Sequence, residues 1–545
     1  MNCFERCEKV IDNSVNKVFL ICENEKTELF PFPYQPINIT YDEGGYETIE
    51  KSGEEILKIR FTPVKEGNYT LEYTFDDGNK KTESFVVEKS ENNGYIKVSD
   101  KDKNYFSFSS GKKFYPIGIN LTYPTAFMQS NGNEFGRTKI KKYIGLKQYE
   151  AWFKKCSKNG VNLVRLWIGH EYFSPDTLNC YEYNLEKFSL LDEMINLAKK
   201  YNIYLKLTLE QFRYFKYDEN DDSQTFHIFN KNLYLDGERC EDIQIWLRDE
   251  KWKNAYLSKI NEFAKRYGGE VQIFAIELWN EMNCVGPYHL EWNKEMLPKV
   301  KAMFPLNMVI NSLGSLDSDR NYEIYKNFCW DKSSFMQVHR YLDLGAKHEK
   351  CRDNLVEVIK DGADLMKEDG IPLLIAETGA VEKCHSGPFK YYSHDDDGIF
   401  FVDSVYTAVF TKCAGCGNIW HWDERYVESK NLYKYFKPLS DLICDTDFEN
   451  ENFKCFDFSN DDVHLLIMEG NKSTIGFIRN KSHSWKNVLR DLGDVKPIKR
   501  FETEIKSKSV KTYPIWENDS VKVKIENGKI KFEDLNFGII FKAEK

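Results

Sequence analysis

Eight short apolar segments alternate with amphipathic helical segments between residue 106 and about residue 430, and this rhythm constrains the fold more than any other feature. Short apolar runs followed by longer stretches with a helical period indicate βα units, which build parallel sheets. Eight such units in one run predict an α/β fold of the (β/α)8 TIM-barrel class. The strand candidates are Phe114–Asn120, Val161–Ile168, Ile203–Glu210, Val271–Asn280, Met308–Ser312, Phe335–Tyr341, Pro372–Glu377 and Asn418–Trp422.

Helical candidates lie between most of these strands, although the helix between the fifth and sixth strands is weakly signalled. The connection from Gln211 to Glu250 is unusually long, and connections of that length are either functional or disordered. We expect it to close one end of the cleft at the barrel mouth. The helical candidates are Leu146–Lys158, Leu185–Tyr201, Trp252–Tyr267, Cys351–Lys367 and Ile399–Cys413.

Both flanks of the barrel region show the two-residue alternation of half-buried β-strands. Ile56–Thr62 and Asn68–Phe75 alternate on the N-terminal side, and Val463–Met468 and Ser473–Arg479 alternate on the C-terminal side. Short strands separated by turn residues at this spacing are typical of small sandwiches. We therefore predict three domains: an Ig-like β-sandwich at 1–105, the barrel at 106–438 and a second β-sandwich at 439–545.

The charge balance excludes several classes of partner. Lysine and arginine number 76 and aspartate and glutamate 86, so the formal net charge is −10. A nucleic-acid binder needs a basic face, so no nucleic-acid partner is predicted. No apolar run approaches the length of a membrane span, so no membrane partner is predicted either. The sequence leaves the oligomeric state open.

Acidic side chains occur within the first ten residues, and these residues lack the apolar core of a secretory signal. The chain has 14 cysteines, which is far from a disulfide-dense pattern, and reduced thiols are typical of cytosolic proteins. We expect a cytoplasmic location, or a secreted protein if a signal has been removed from the natural chain.

Polar side chains gather at the carboxyl ends of the predicted strands, where a barrel places its active site. Strand 4 runs into Glu281, and strand 7 ends at Glu377, so two carboxylates face each other across the barrel mouth. Hydrolysis of a glycosidic bond needs such a pair, one protonated to release the leaving oxygen and one ionised to attack the anomeric carbon. Arg165 on strand 2 is expected to keep Glu377 ionised, and drier surroundings are expected to keep Glu281 protonated.

The motifs Glu277-Leu-Trp-Asn-Glu281 and Ile375-Ala-Glu377-Thr-Gly resemble glycoside hydrolase clan A, and family 5 in particular. The N-terminal segment is similar to the β-sandwich that precedes barrels of the mannanase and cellulase type. The resemblance spans roughly residues 50 to 440. It implies that Glu281 is the acid/base and Glu377 the nucleophile of a retaining hydrolase. It also implies a set of substrate-binding residues, namely Arg165, Asn280, His339, Tyr341 and either Trp420 or Trp422.

Other polar residues at the strand ends leave alternatives open. Asn120, at the end of strand 1, is equally compatible with substrate binding and with a structural role. Glu277 is interpreted as a buried structural carboxylate. Trp420 and Trp422 share strand parity, so at most one of them is expected to form the floor of the sugar site. Glu210, at the end of strand 3, is a candidate substrate contact with no defined role.

The leading hypothesis is a retaining glycoside hydrolase of β-linked sugars, and this chemistry requires no cofactor and no metal. The predicted partner is an oligosaccharide or polysaccharide, with short β-mannosides or β-glucosides favoured because an intracellular enzyme meets imported oligosaccharides. The alternative is a carbohydrate-binding protein with an inactive barrel. Both carboxylates are present, which favours the enzyme over that alternative and over a scaffold protein.

Overall fold

The structure, a computed structural model, describes residues 1–128, 141–211 and 234–545. Within those ranges, no helix combines the length and the apolar character needed to cross a bilayer. The chain forms a strand-rich N-terminal part, a central α/β barrel and a C-terminal part built from two further sheets.

Two sheets form the core of the N-terminal part. One has the order β1-β7-β4 and the other β3-β2-β8-β9, and a separate hairpin pairs β5 with β6. Apolar residues of both sheets, among them Val18, Ile59 and Leu71, form one cluster with no exposed surface at these three positions. This shared core is what the predicted sandwich requires. The strands are β1 (Cys7–Ile11), β2 (Val15–Cys22), β3 (Glu25–Leu29), β4 (Phe32–Tyr34), β5 (Ile37–Tyr41), β6 (Glu47–Lys51), β7 (Ile56–Phe61), β8 (Gly67–Phe75) and β9 (Lys80–Val87).

A small antiparallel sheet of β10 (Ile96–Val98), β11 (Phe106–Phe108) and β12 (Lys113–Phe114) leads into the barrel. The ring of Phe106 lies 5.2 Å from that of Phe274 and 5.3 Å from that of Phe335. Both contacted residues lie where a barrel strand begins. The small sheet therefore covers the amino-terminal end of the barrel, opposite the end where active sites lie.

Seven strands of the barrel are regular and parallel. Their ladders join the first five in the order β13-β16-β17-β20-β21 and pair β22 with β23. The predicted first strand, Phe114–Asn120, is wrong in its first half, because Phe114 belongs to the antiparallel sheet. The barrel strands are β13 (Gly118–Asn120), β16 (Leu163–Trp167), β17 (Tyr204–Thr208), β20 (Ile273–Glu277), β21 (Met308–Ile310), β22 (Met336–Asp343) and β23 (Leu373–Val381).

The eighth strand is reduced to a single bridge. Ile419 forms an isolated parallel bridge with Thr378, and its carbonyl accepts the backbone N–H of Asn120 at 3.3 Å. The chain at this point therefore joins the seventh strand to the first and closes the barrel. The prediction of a full strand over Asn418–Trp422 is wrong, because the chain leaves the sheet after Trp420, whose N–H donates to the carbonyl of Thr378 at 2.9 Å.

The helices surround the barrel, and five of those described begin at a polar side chain. The side-chain oxygens of Asn184, Asp242, Asp249, Ser318 and Asn354 each accept a backbone N–H group in the first turn of the helix that follows. The helices are α1 (Leu146–Lys158), α2 (Leu185–Lys200), α3 (Ile243–Arg248), α4 (Glu250–Tyr267), α5 (His289–Met303), α6 (Asp319–Asn327), α7 (Leu355–Met366), α8 (Ile399–Val409), α9 (Phe436–Cys444) and α10 (Phe448–Glu451). Two-stranded hairpins pair β14 (Ala126–Met128) with β15 (Lys141–Tyr143) and β18 (Tyr234–Leu235) with β19 (Glu238–Arg239).

The C-terminal part consists of a five-stranded sheet, β24-β25-β26-β31-β28, and a three-stranded sheet, β27-β30-β29. Ile467, Ile478, Phe532 and Phe541 belong to one buried cluster that joins the two sheets. Its strands are β24 (Lys454–Asp457), β25 (Val463–Glu469), β26 (Ser473–Asn480), β27 (Ile498–Lys506), β28 (Ser509–Pro514), β29 (Lys522–Glu526), β30 (Lys529–Leu535) and β31 (Gly538–Glu544).

Buried ion pairs attach both flanking parts to the barrel. Arg60 of β7 donates to Asp192 of α2 at 2.8 Å, and both side chains are almost fully buried. Arg479 of β26 donates to Asp403 of α8 at 2.8 Å, again with both side chains buried. Buried charges are tolerated only when paired, so these contacts fix the flanking parts against the barrel helices.

The buried histidine His464 on β25 makes stability depend on pH. Burial, assisted by the positive charges of Lys481 and Arg479, lowers the pKa of His464 from 6.5 to about 3. At a pH between these two pKa values, His464 binds a proton in the unfolded chain but not in the folded chain. The free energy of unfolding therefore falls as the pH drops below about 6.5. At about 1.4 kcal/mol for each pH unit, the loss reaches about 2 kcal/mol by pH 5.

We expect His464→Gln to lose less unfolding free energy than the wild type between pH 7 and pH 5. Urea unfolding at both pH values measures this difference directly. Parallel losses in the two proteins would show that His464 is not the group responsible.

Candidate active site

Two carboxylates meet at the carboxyl ends of the barrel strands. Glu377 lies within β23, and Glu281 follows β20 by four residues. One carboxylate oxygen of each and a ring nitrogen of His339 lie within 4.8 Å of one another. The same three atoms could hold a cation, although a carboxylate pair cleaves glycosides without one. The structure thus brings together the two residues that the sequence singled out.

Glu377 is held from two sides by hydrogen-bond donors. Arg165 on β16 donates through Nη1 to its Oε1, and the hydroxyl of Tyr341 on β22 donates to its Oε2 at 2.7 Å. The side chain is 4% exposed. Two charged or hydroxyl donors on different strands hold this buried carboxylate in one orientation.

Glu281 sits on a short turn with an unusual backbone. Its φ of 49° and ψ of 52° lie in the left-handed region, which residues other than glycine adopt infrequently. Its N–H donates to Ser312 Oγ at 3.0 Å, and its Oε1 lies 2.9 Å from His339 Nδ1. Its side chain is 17% exposed, against 4% for Glu377. The expectation that Glu281 has the drier surroundings is therefore wrong, because it faces the open cleft.

A fully buried charge network lies beneath the pair. Arg165 donates to both oxygens of Glu277, at 2.7 and 3.1 Å, and Thr208 and Gln337 also donate to that carboxylate. Burial alone would raise the pKa of Glu277, but the positive charges of Arg165 and Lys206 lower it far below its usual value. The interpretation of Glu277 as a buried structural carboxylate agrees with these contacts.

Lys206 on β17 is a charged member of this network that the sequence analysis did not identify. Its ammonium donates to Gln337 Oε1 at 2.8 Å and lies 3.8 Å from Glu277. Burial lowers the pKa of Lys206 to about 7, although Glu277 partly offsets this effect. The sequence did contain a signal for it, namely a lysine between two leucines in a barrel strand. A charged residue in an otherwise apolar strand indicates a buried partner of opposite charge or a hydrogen-bonding partner.

Two asparagines contact the same guanidinium with different consequences. Asn280 Oδ1 accepts from Arg165 Nη2 at 2.8 Å, which leaves its amide nitrogen to donate towards the cleft. Asn120 has no exposed surface, and its amide nitrogen donates to the carbonyls of Ala376 and Asn418. Asn120 thus links the first strand to the seventh and eighth strand positions, which favours the structural one of its two alternative roles.

Aromatic residues form a wall on one side of the pair, which we call the aromatic wall and define as Tyr123, Trp167 and Trp420. Trp420 is half-buried, and its ring lies 5.1 Å from that of Trp167. Trp422 is 1% exposed and packs edge-on against Tyr123 and Trp420. Of the two alternatives, Trp420 is therefore the candidate floor for a sugar ring, and Trp422 fills the core beside it.

The remaining strand-end candidate has a structural partner. Glu210 is 3% exposed and forms an ion pair with Lys259 of α4, which also contacts Asp176 at 2.9 Å. The predicted closing loop, 211–250, falls largely outside the described residues, which resume at Tyr234. Its proposed role stays a prediction.

The barrel thus presents two facing carboxylates at the ends of its fourth and seventh strands, an arrangement that suits hydrolysis of a glycosidic bond. Residues 126–402 match the cellulase family, described as glycosyl hydrolase family 5. The chain belongs to this family, as its strand-end motifs predicted.

The chain is also similar to solved structures at low identity, and the first of those named here supports the fold. A candidate glycoside hydrolase from Bacteroides vulgatus is 13% identical, with 100% of this chain and 99% of that chain covered and a TM-score of 0.54. A family 5 mannosidase from Rhizomucor miehei is 15% identical, with 60% and 85% covered and a TM-score of 0.40. An exo-β-1,4-mannosidase from an Opitutaceae bacterium is 14% identical, with 63% and 62% covered and a TM-score of 0.40. Among curated proteins, none matches this chain.

Proposed function

We propose that the protein is a retaining glycoside hydrolase of β-linked sugars, with Glu377 as the nucleophile and Glu281 as the acid/base. The observation that carries this proposal is the close approach of the two carboxylates, whose oxygens lie within 4.8 Å of each other. Retaining enzymes hold their carboxyl groups about 5 to 5.5 Å apart, whereas inverting enzymes leave about 6.5 to 9.5 Å for a water molecule. Family membership supports the same chemistry.

In the first step, Glu377 attacks the anomeric carbon and the glycosidic bond breaks. Arg165 and Tyr341 hold the attacking carboxylate in position through the hydrogen bonds that they donate to its two oxygens. Glu281 gives its proton to the departing oxygen. The result is a covalent glycosyl ester on Glu377 and a free leaving group.

In the second step, Glu281 takes a proton from water, which then attacks the same carbon and releases Glu377. The partial exposure of Glu281 suits this role, because the acid/base must exchange protons with solvent between the steps. His339 Nδ1, 2.9 Å from Glu281 and 3.4 Å from Glu377, lies between the two carboxylates and orients both. We assign Asn280, whose Oδ1 accepts from Arg165, the role of hydrogen-bond donor to a hydroxyl of the bound sugar.

We further propose short β-mannosides or β-glucosides as substrates. The half-buried Trp420, backed by Trp167, offers an apolar ring face of the kind on which the C–H face of a pyranose packs. Family membership supports a carbohydrate substrate without selecting the sugar. A panel of aryl β-glycosides and β-linked oligosaccharides tests the assignment. Sugar binding without any turnover would instead support the carbohydrate-binding alternative.

Glu281→Ala separates the acid role from a general structural one. We expect its activity to fall by about 10² to 10⁴-fold on β-disaccharides, whose leaving group needs a proton, and far less in the first step on dinitrophenyl glycosides. Steady-state and burst kinetics on both substrates measure the difference. An equal loss on the two leaving groups would contradict the acid role.

A further inference from the structure

Lys206 lies inside the barrel, deeper than the carboxylate pair. It precedes Thr208 on β17 by two residues, so both side chains point to the same side of the strand. The hydroxyl of Thr208 contacts Arg165 and Glu277, which places that side in the barrel interior. Lys206 has no exposed surface, and the two-step mechanism does not use it. A lysine is rarely buried so completely without a role that repays its desolvation.

A short series of hydrogen bonds connects Lys206 with the nucleophile. Its ammonium donates to Gln337 Oε1 at 2.8 Å, and Gln337 Nε2 donates to Glu277 Oε1 at 2.7 Å. Glu277 accepts from Arg165 Nε at 2.7 Å, and Arg165 Nη1 donates to Glu377. A change at Lys206 therefore reaches the attacking carboxylate through the position of one guanidinium.

The charges of this network balance only while Lys206 is protonated. Arg165 and Lys206 carry two positive charges, which face the carboxylates of Glu277 and Glu377. Burial lowers the pKa of Lys206 to about 7; the charge of Arg165 adds to this effect, and the two carboxylates oppose it. The same carboxylates raise the pKa of Arg165, so that of these two cations Lys206 is the one that changes its charge near neutral pH.

The position of the guanidinium depends on the charge beneath it. Glu277 accepts from two nitrogens of Arg165, at 2.7 and 3.1 Å, whereas Glu377 accepts from the third. A protonated Lys206 attracts Glu277 from 3.8 Å and repels Arg165, which favours a guanidinium shared by both carboxylates. A neutral Lys206 leaves Arg165 to be drawn towards Glu277. His339, the other titratable group that acts on Glu277, lies at the level of the carboxylate pair.

We propose that Lys206 is a positioning residue, whose positive charge keeps the guanidinium of Arg165 shared between Glu277 and Glu377 and so holds the nucleophile in its attacking orientation. This inference rests on the proposed glycosidase function and deepens it, because it makes the rate of the first step depend on a charge that never touches the substrate.

The test is the pH profile of kcat/KM, from pH 6 to pH 8.5, on a dinitrophenyl β-glycoside of the preferred sugar. This parameter reports the first step, and the leaving group needs little help from the acid Glu281. We expect the wild type to fall by about 10-fold with a midpoint near pH 7, the effect of weakening about one charge-assisted hydrogen bond. The midpoint should move to lower pH on warming, as the ionisation of an amine does.

Lys206→Met and Lys206→Gln separate the charge from the hydrogen bond. Both are neutral, and the glutamine can still donate to Gln337. At pH 6 we expect both variants to be about 10-fold below the wild type, with no further fall near pH 7. The matched control is Lys253→Met, because Lys253 is also buried but pairs with Glu250 and Glu295 on the outer helices. It should keep the wild-type profile, and thermal unfolding at pH 6 checks that each variant folds.

An active wild type without a fall near pH 7, or with a midpoint that warming does not move, would overturn the inference, and neither result depends on a variant. The same fall in Lys206→Met, or full activity in Lys206→Gln, would overturn it as well. Silence of the wild type on every glycoside would instead overturn the proposed function, and the inference with it.

Discussion

Glu377→Ala should lose turnover by about 10⁴-fold or more, the scale seen when a hydrolase loses its nucleophile. Without that carboxylate no atom is placed to attack the anomeric carbon, and Arg165 and Tyr341 are left with unused donors in a buried site. Initial rates on the best substrate of the aryl glycoside panel measure the loss.

Azide should partly restore the activity of this variant, because a small anion can enter the space left by the carboxylate and attack in its place. The matched control is Glu382→Ala, on the loop after the same strand, whose carboxylate accepts only the backbone N–H of Lys390 among the contacts of the described residues. That control should keep its activity. A fully active Glu377→Ala would refute the assignment of the nucleophile.

Arg165→Met should destabilise the protein by about 3 to 5 kcal/mol, the cost of removing one partner of a buried ion pair. Arg165 has no exposed surface and contacts both Glu277 and Glu377, so its loss leaves two carboxylates without their main cation. Urea unfolding at pH 7 measures the change. Activity should fall as well, because Glu377 loses the donor that orients it.

Lys206→Met is the matched control, since Lys206 is equally buried and lies in the same network. Burial lowers the pKa of Lys206 to about 7, whereas for Arg165 the effect of burial is outweighed by Glu277 and Glu377, which raise its pKa. The removal of Lys206 should therefore cost clearly less than the removal of Arg165. Equal destabilisation by both substitutions would show that packing, rather than charge, holds this part of the barrel together.

The carboxylate pair could be predicted because it depends on local patterns alone. Each glutamate follows an apolar strand, and the strands of a barrel all end at the same mouth, so strand order and period were sufficient. The contacts of Arg165 with Glu377 and of Tyr341 with Glu377 followed from the same reasoning and the family motif.

The first and eighth strands differ from their predicted bounds for physical reasons that a pattern of apolar residues does not show. Pro116 separates Phe114 from the first barrel strand, because proline cannot donate to a ladder. At the eighth position, a Cβ on Gly417 would meet the carbonyl of Ser404 at 2.1 Å, so the chain runs directly against α8 and regains strand pairing only briefly. Trp422 departs from the alternation of a strand for the same reason, because the chain has already left the sheet.

The contacts of His385 with Ser315 and Asp343 could not have been predicted from the sequence. His385 reaches Ser315 and Asp343 through loops whose path depends on hydrogen bonds between residues far apart in the chain. Such placement is a property of the packed loops rather than of a local motif. The aromatic wall shows the same limit, since Tyr123 meets Trp422 only once the barrel has closed.

Trapping of the covalent intermediate is the direct test of Glu377 as the nucleophile of a retaining mechanism. The protein is incubated with an activated 2-deoxy-2-fluoro β-glycoside of the preferred sugar, which slows release of the glycosyl ester, and is then digested and analysed by mass spectrometry. If Glu377 is the nucleophile, we expect one added fluorosugar on the peptide that carries Glu377, and none in Glu377→Ala. A label on another residue, or steady turnover with inversion at the anomeric carbon and no label, would contradict it.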